Sequence, residues 1–169
     1  MPLNQSKLVR CVYEYFKDDP YAFEPCAAEI ACLMDGRIAI SSMTRPYRDG
    51  GRDAIGVYRF GPKGDPIAID FALEAKCKGI DSGVGVKELA RLISRLRHRQ
   101  FGVLVTTSFL AEQGYKELRE DGHPVIVIAA ADIAQILTDA GLRDEAAVMD
   151  WLRTRFPKDS NVIADVTAT

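Results

Sequence analysis

The 169-residue sequence lacks any apolar run long enough to cross a membrane as a helix. Its longest stretches, around FGVLV (101–105) and PVIVIAAA (124–131), fall well short of the roughly 18 residues required. Near the N-terminus Lys7, Arg10 and Glu14 interrupt any signal-peptide core, which predicts a soluble, cytoplasmic protein with no membrane association. An excess of one charge is missing too: 22 Lys and Arg stand against 24 Asp and Glu, a net charge of −2. No global field therefore draws the chain to a polyanion, and any such contact must come from local clustering. Cysteine is sparse. Cys11, Cys26, Cys32 and Cys77 show no C-x-x-C spacing and no partnering histidines, which argues against a zinc site or a disulfide framework and for reduced packing thiols. Internal repeats and low-complexity segments are absent. The remainder, 47% hydrophobic and 27% charged, is the composition of a folded chain with a real core. Residues 1–157 read as a single domain and 158–169 as a loose tail.

The order of elements follows from periodicity. Residues 5–17 place Leu8, Val9, Val12 and Phe16 at helical spacing before Asp18-Asp19-Pro20 stops the helix. A second helix over 23–36 lines up Phe23, Ala27, Ile30, Ala31 and Met34 on one face. Three strand-like segments follow (37–44, 53–60, 67–77), joined by the polar loop 45–51 and the turn GPKGDP, spacers short enough for an antiparallel meander. Beyond Gly79 the pattern alternates: helix 84–100, strand 101–107, helix 110–121, strand 124–129, then helices near 131–140 and 144–155. Alternation of this kind calls for parallel pairing with crossover helices. The expected fold is a three-layer α/β domain with an αβββαβ core, a mixed sheet and extra C-terminal helices.

The third strand carries charge where a buried strand should not. In IAIDFALEAKC, Ile67, Ile69, Phe71 and Leu73 alternate with Asp70, Glu74 and Lys76, so Glu74 and Lys76 share a face about 6.5–7 Å apart. Such a pair either decorates a solvent-facing sheet surface or belongs to a site. Asp53 decides between them, because it opens the second strand and a hairpin of this length returns it beside the end of the third. Two carboxylates on adjacent strands beside one ammonium repel each other unless a cation resolves the conflict. Hard oxygen ligands suit Mg²⁺, which uses one or two carboxylates plus phosphate oxygens, and Lys76 is placed to hold or help deprotonate a water and to stabilise charge on phosphorus.

The arrangement Asp53-x(20)-Glu74-x-Lys76 after a meander resembles the PD-(D/E)xK nuclease superfamily, and more narrowly the Mrr-like restriction endonuclease catalytic domain. The resemblance runs from about Tyr21 to Leu137. It includes Phe23-Glu24 opening the second helix, the RDGGRDAIG loop, the EAKCK strand end, the GVGVKELARLISRL helix and the GVLVTTSFL strand exit. It implies a Mg²⁺-dependent endonuclease (Mn²⁺ substituting) that hydrolyses double-stranded DNA in restriction or host defence. Junction-resolving or repair nucleases and catalytically silent DNA-binding modules share the same core. Asp53, Glu74 and Lys76 take the catalytic positions, and the family's helix glutamate matches Glu24, with Glu29 as the fallback metal ligand. Arg52 replaces the motif proline, and Glu74 keeps the acidic form where many Mrr-like domains carry Gln. No base-recognition domain is evident, which leaves room for a homodimer or for fusion to a separate DNA-recognition domain.

A basic stripe follows the motif. Lys87, Arg91 and Arg95 recur at i, i+4 and i+8, with Arg99 completing the row and Val86, Leu89, Ala90, Ile93 and Leu96 forming the apolar face. Beside a phosphodiester site these residues, together with Lys78, are candidate DNA-backbone contacts, and Arg45, Arg48 and Arg52 form a further basic loop. Gly83 and Gly85 suggest a dinucleotide fingerprint, but Glu88 stands in the third glycine position. Among Thr106, Thr107 and Ser108, the last is expected to cap the following helix. His98 and His123 have no carboxylate or cysteine companions in the sequence and read as surface residues.

Overall fold

Period-two alternation along the central strands sorts their side chains into two separate cores, one on each face of a single sheet. The computed structural model describes residues 3–43, 53–94, 96 and 99–158. The helices are α1 (Leu3–Phe16), α2 (Phe23–Met34), α3 (Val86–Ser94), α4 (Glu112–Glu120), α5 (Ala130–Asp139) and α6 (Glu145–Arg155). The strands are β1 (Ile38–Met43), β2 (Ala54–Phe60), β3 (Ile67–Lys76), β4 (Phe101–Thr106) and β5 (Val125–Ile128). Strand order follows sequence order, with β1, β2 and β3 antiparallel and β3, β4 and β5 parallel. The mixed sheet and its two helical layers match the expected α/β architecture, including the added C-terminal helices.

The larger core joins Phe71, Leu73 and Ala75 of β3 and Val103 and Val105 of β4 to buried faces of α1, α2, α5 and α6. The intervening residues Ala72 and Leu104 point the other way, onto Leu89 and Leu92 of α3 and Leu118 of α4. Leu8, Val9, Val12 and Phe16 are buried on α1 as their spacing predicts. Asp19 caps the short turn Pro20–Ala22 that leads into α2, its carboxylate accepting the Ala22 N–H. All four cysteines are free thiols, and burial pushes each above its ordinary pKa, so they serve as packing groups.

Several expectations need correction. Met34, the last residue of α2, is exposed together with Leu33, and Ile67 is 66% exposed in the β2–β3 hairpin, where residues 59–68 are all exposed. The helix expected over 84–100 is described only as α3. Val84 instead pairs with Leu110, and the described Leu96, Arg99 and Gln100 lie outside any helix, with Leu96 N–H bonded to Ile93 O and Arg99 N–H to Leu96 O. Leu92 is buried on α3 where Ala90, placed on the apolar face, is exposed. Ser108 caps no helix: α4 starts at Glu112, and the methyl group of its N-cap Ala111 offers no hydrogen-bond acceptor. The loop carrying Arg45, Arg48 and Arg52, Arg95, His98 and the tail beyond Lys158 lie outside the described residues.

Close packing within the sheet supplies a test. Gly56 faces Phe71 across the β2–β3 ladder, and a Cβ there would sit 2.5 Å from the ring and 2.6 Å from the Ala39 carbonyl oxygen. Neither neighbour can yield cheaply, so Gly56→Ala is expected to destabilise by about 1–3 kcal/mol, the usual range for overpacking. Urea denaturation measures it, and an unchanged midpoint would contradict this packing.

Candidate active site

The β2–β3 register sets Ala54 against Leu73, so the next step brings Asp53 across from Glu74. The Asp53 N–H donates to Leu73 O at 3.1 Å, and its carboxylate accepts the Ala75 N–H through Oδ2 at 2.6 Å. Asp53 thus folds over the end of the hairpin. Lys76 closes the group: its Nζ lies 2.8 Å from Glu74 Oε1 and 4.0 Å from Asp53 Oδ2, and donates to the Ala75 carbonyl at 3.0 Å. Glu74 is fully buried, which excludes the reading of this pair as solvent-facing decoration.

Glu24, in the first turn of α2, feels the same group. Its carboxyl is pushed up to about 7, first by burial and then by the negative charge of Asp53, with Glu74 adding to the effect and Lys76 opposing it. Glu29 points elsewhere, held by the Arg155 guanidinium at 2.9–3.2 Å. The structure therefore brings together Asp53, Glu74 and Lys76, sets Glu24 near enough to feel their charges, and leaves the fallback glutamate in an ion pair with α6.

Among the described residues, Asp53, Glu74 and Glu24 share the neighbourhood of the Lys76 ammonium, and protonation of Glu24 is one way to ease their repulsion. A hard divalent cation is another. Among the described residues no three Asp, Glu, His or Cys side chains are already gathered as a metal cage. Mg²⁺ needs only one or two carboxylates, however, and the Asp53–Glu74 pair meets that requirement in kind.

The proposed DNA contacts are distributed unevenly. Lys78 leaves β3 in an ion pair with Glu88 of α3 and donates to the Gly83 carbonyl at 3.3 Å, so its ammonium is already engaged. Lys87 and Arg91 are exposed on α3 and, among the described residues, form no ion pair. Arg99 lies off the helix beside Asp70, 3.5 Å from Oδ2, and so leaves the row assigned to it. His123 has gained a local carboxylate, Asp121, at 3.7 Å. Thr106, Thr107 and Ser108, fully or almost fully buried, bond to the main chain around the end of β3. Two hydroxyls closing an otherwise apolar strand are the sequence signal for this arrangement.

A mixed sheet with Asp53, Glu74 and Lys76 gathered where β2 begins and β3 ends is the architecture of a restriction-type nuclease. The restriction endonuclease family model Mrr_cat matches residues 17–137, and the chain belongs to that family. The DNA modification-dependent restriction endonuclease AspBHI is similar in structure, with a TM-score of 0.84 and 45% identity over 91% of this chain and 40% of its own. The MspJI restriction endonuclease in complex with a 27-mer oligonucleotide is similar at a TM-score of 0.76 and 26% identity, over 89% of this chain and 35% of its own. The chain thus spans well under half the length of either neighbour. No curated protein matches it.

The raised Glu24 carboxyl makes a signed prediction about stability. Its folded value of about 7 exceeds the ordinary 4.5, so folding favours the protonated form. The stabilisation this brings is complete below the ordinary value and is lost as pH rises through the folded one. In EDTA, Glu24→Gln should therefore gain thermal stability relative to wild type as pH is raised from about 5 to about 8. Melting curves at the two pH values check this, and an offset independent of pH would refute it.

Proposed function

We propose that the chain is the catalytic portion, residues 1–157, of a divalent-metal-dependent endonuclease that hydrolyses phosphodiester bonds of double-stranded DNA in a restriction setting. The observation carrying this reading is the convergence of Asp53, Glu74 and Lys76, with a fully buried Glu74 held 2.8 Å from the Lys76 ammonium. An intact set of all three argues against a silent module, since the two carboxylates and the ammonium that metal-assisted hydrolysis calls for stand side by side. A DNA substrate fits an activity in the cytoplasm, and among the described residues no helix is long and apolar enough to cross a membrane.

Asp53 and Glu74 would hold the cation, Mg²⁺ with Mn²⁺ as substitute, and Glu24 would add a carboxylate from α2. When bound, the ion supplies Lewis-acid polarisation of the scissile phosphate and lowers the pKa of an attached water. Asp53 is fixed for its task by its bond to the Ala75 N–H, which sets the direction of its remaining lone pairs. Among the described residues, Lys76 is the cation paired with these carboxylates. Its ammonium can hold the attacking water by hydrogen bonding and stabilise negative charge that grows on the phosphoryl oxygens. Outside the site, Lys87 and Arg91 supply sequence-independent attraction for the DNA backbone.

Asp53→Asn, Glu74→Gln and Lys76→Ala should each lower plasmid cleavage by about 10²–10³-fold or more, the range for losing a group that stabilises transition-state charge. EDTA should abolish cleavage and added Mg²⁺ restore it. Glu24→Gln should lower activity substantially, whereas Glu29→Gln should not, because its partner is Arg155. Near wild-type cleavage by any variant of the three motif residues would remove the assignment.

Replacing Lys87 and Arg91 together by Ala should weaken DNA binding about equally for all sequences. It should also flatten the plot of log K against log salt by about one unit for each phosphate no longer neutralised. A salt titration in Ca²⁺ measures this, and an unchanged slope would leave both residues as plain solvated charges.

A further inference from the structure

The ladder between β3 and β4 ends with the pair Lys76 and Thr106, yet the main chain beyond it is not left to solvent. The Lys76 carbonyl accepts from the Thr106 hydroxyl at 2.9 Å and from the Thr107 N–H at 3.3 Å. Two residues further on, a single hydroxyl satisfies both amide groups of one residue: Thr107 Oγ1 accepts the Lys78 N–H at 2.8 Å and donates to the Lys78 carbonyl at 2.7 Å. Thr106 is 0% and Thr107 1% exposed, so water cannot stand in for either.

The anchor on the far side is equally fixed. Thr106 Oγ1 accepts the Ser108 N–H at 3.2 Å, the Ser108 hydroxyl donates to Ser82 O at 3.0 Å, and the Ser108 carbonyl accepts the Ala130 N–H at 2.8 Å. Valine would fill the same volume at 106 or 107 and would suit a buried strand end equally well. Hydroxyl chemistry at these positions is therefore specific to holding the backbone of residues 76–78.

That backbone carries the ammonium of the site. Lys76 curls back to donate to its neighbour's carbonyl at Ala75, so a tilt of the peptide planes after β3 would displace Nζ relative to Glu74 and Asp53. We infer that Thr107, seconded by Thr106, is a positioning residue for Lys76, clamping the strand exit so that the ammonium stays at the carboxylates. The inference rests on the nuclease reading above. Thr107 touches no reacting atom in it, and DNA binding through α3 does not depend on it.

The test uses the full chain and compares Thr107→Val, which keeps shape and loses the hydroxyl, with Thr107→Ser, which keeps the hydroxyl. Thr107→Val should lower kcat for plasmid cleavage in Mg²⁺ by about ten- to a hundredfold, the scale of a small misplacement of a reacting group. KM and DNA affinity in Ca²⁺ should stay near wild type, and Thr107→Ser should recover most of the rate. Wild-type turnover by Thr107→Val, or equal loss in Val and Ser, would overturn the inference, the latter by assigning Thr107 to packing. Should Thr107→Val lose its melting transition, Thr106→Val decides: a several-fold lower kcat with normal melting supports the clamp, and an unaffected rate overturns it. Lys76→Ala separates the two levels. If wild type cleaves and Lys76→Ala does not, a fast Thr107→Val overturns the clamp alone, whereas a wild type inert in both Mg²⁺ and Mn²⁺ removes the nuclease reading and the clamp with it.

Discussion

The register of β2 on β3 is the constraint on which the site depends, and it is enforced by the apolar core. With Ala54 opposite Leu73, the two bonds that Asp53 makes, to the Leu73 carbonyl and from the Ala75 N–H, bracket Glu74 between them. A slip of one residue would exchange the two faces of β3. Glu74 would then enter the core formed with α1, α2 and α5, and Phe71 and Leu73 would leave it. The same hydrophobic pattern that stabilises the sheet therefore fixes which carboxylates meet. Packing of α2 on that core also carries Glu24 to them, without any contact chosen for chemistry alone.

Charge pairing elsewhere in the molecule sharpens the site. Asp35 is held down to about 2 by Arg37, Glu88 is lowered by Lys78, Glu29 is taken by Arg155 and Asp70 by Arg99. Each of these acids has its own cation. Around Lys76 the described residues gather several acids instead, and the Glu24 carboxyl is raised, first by burial and then by the charge of Asp53. Two well-packed cores hold the strands that carry Asp53, Glu74 and Lys76 in place. On the proposed reading, such a gathering of carboxyl groups is the property a divalent cation would recognise.

Much of this is legible in the sequence, for identifiable reasons. Strand alternation in IAIDFALEAKC places Glu74 and Lys76 on one face, and the hairpin length returns Asp53 to them, because both depend on local geometry and short connections. What escapes the sequence depends on tertiary partners. Glu24 and Glu29 lie five residues apart on α2, and only the position of Arg155 on α6 tells them apart. Lys78 resembles a free extension of the motif until Glu88 is found reaching back to it from α3. Helical periodicity over-extends past Ser94 because Leu96 continues the apolar spacing, although Leu96, Arg99 and Gln100 belong to no helix. Ser108 looks like a helix cap by composition, but the Ser82 carbonyl claims its hydroxyl.

On the nuclease reading proposed above, electrostatics would also divide the labour of binding DNA. Among the described residues, a phosphate approaching Asp53 and Glu74 would meet Lys76, and attraction over a longer range would come from the exposed Lys87 and Arg91. Both lie exposed on α3, away from the carboxylates. Such contacts position the duplex and carry no base information. Sequence reading requires elements that reach base edges in a groove. The part shared with AspBHI and MspJI makes up only 40% and 35% of those chains, so the similarity leaves most of either neighbour unmatched. On the proposed reading, a fold that places its carboxylates by core packing and exposes cations on an outer helix would cut where DNA is delivered to it and would leave the choice of sequence to elements other than this sheet.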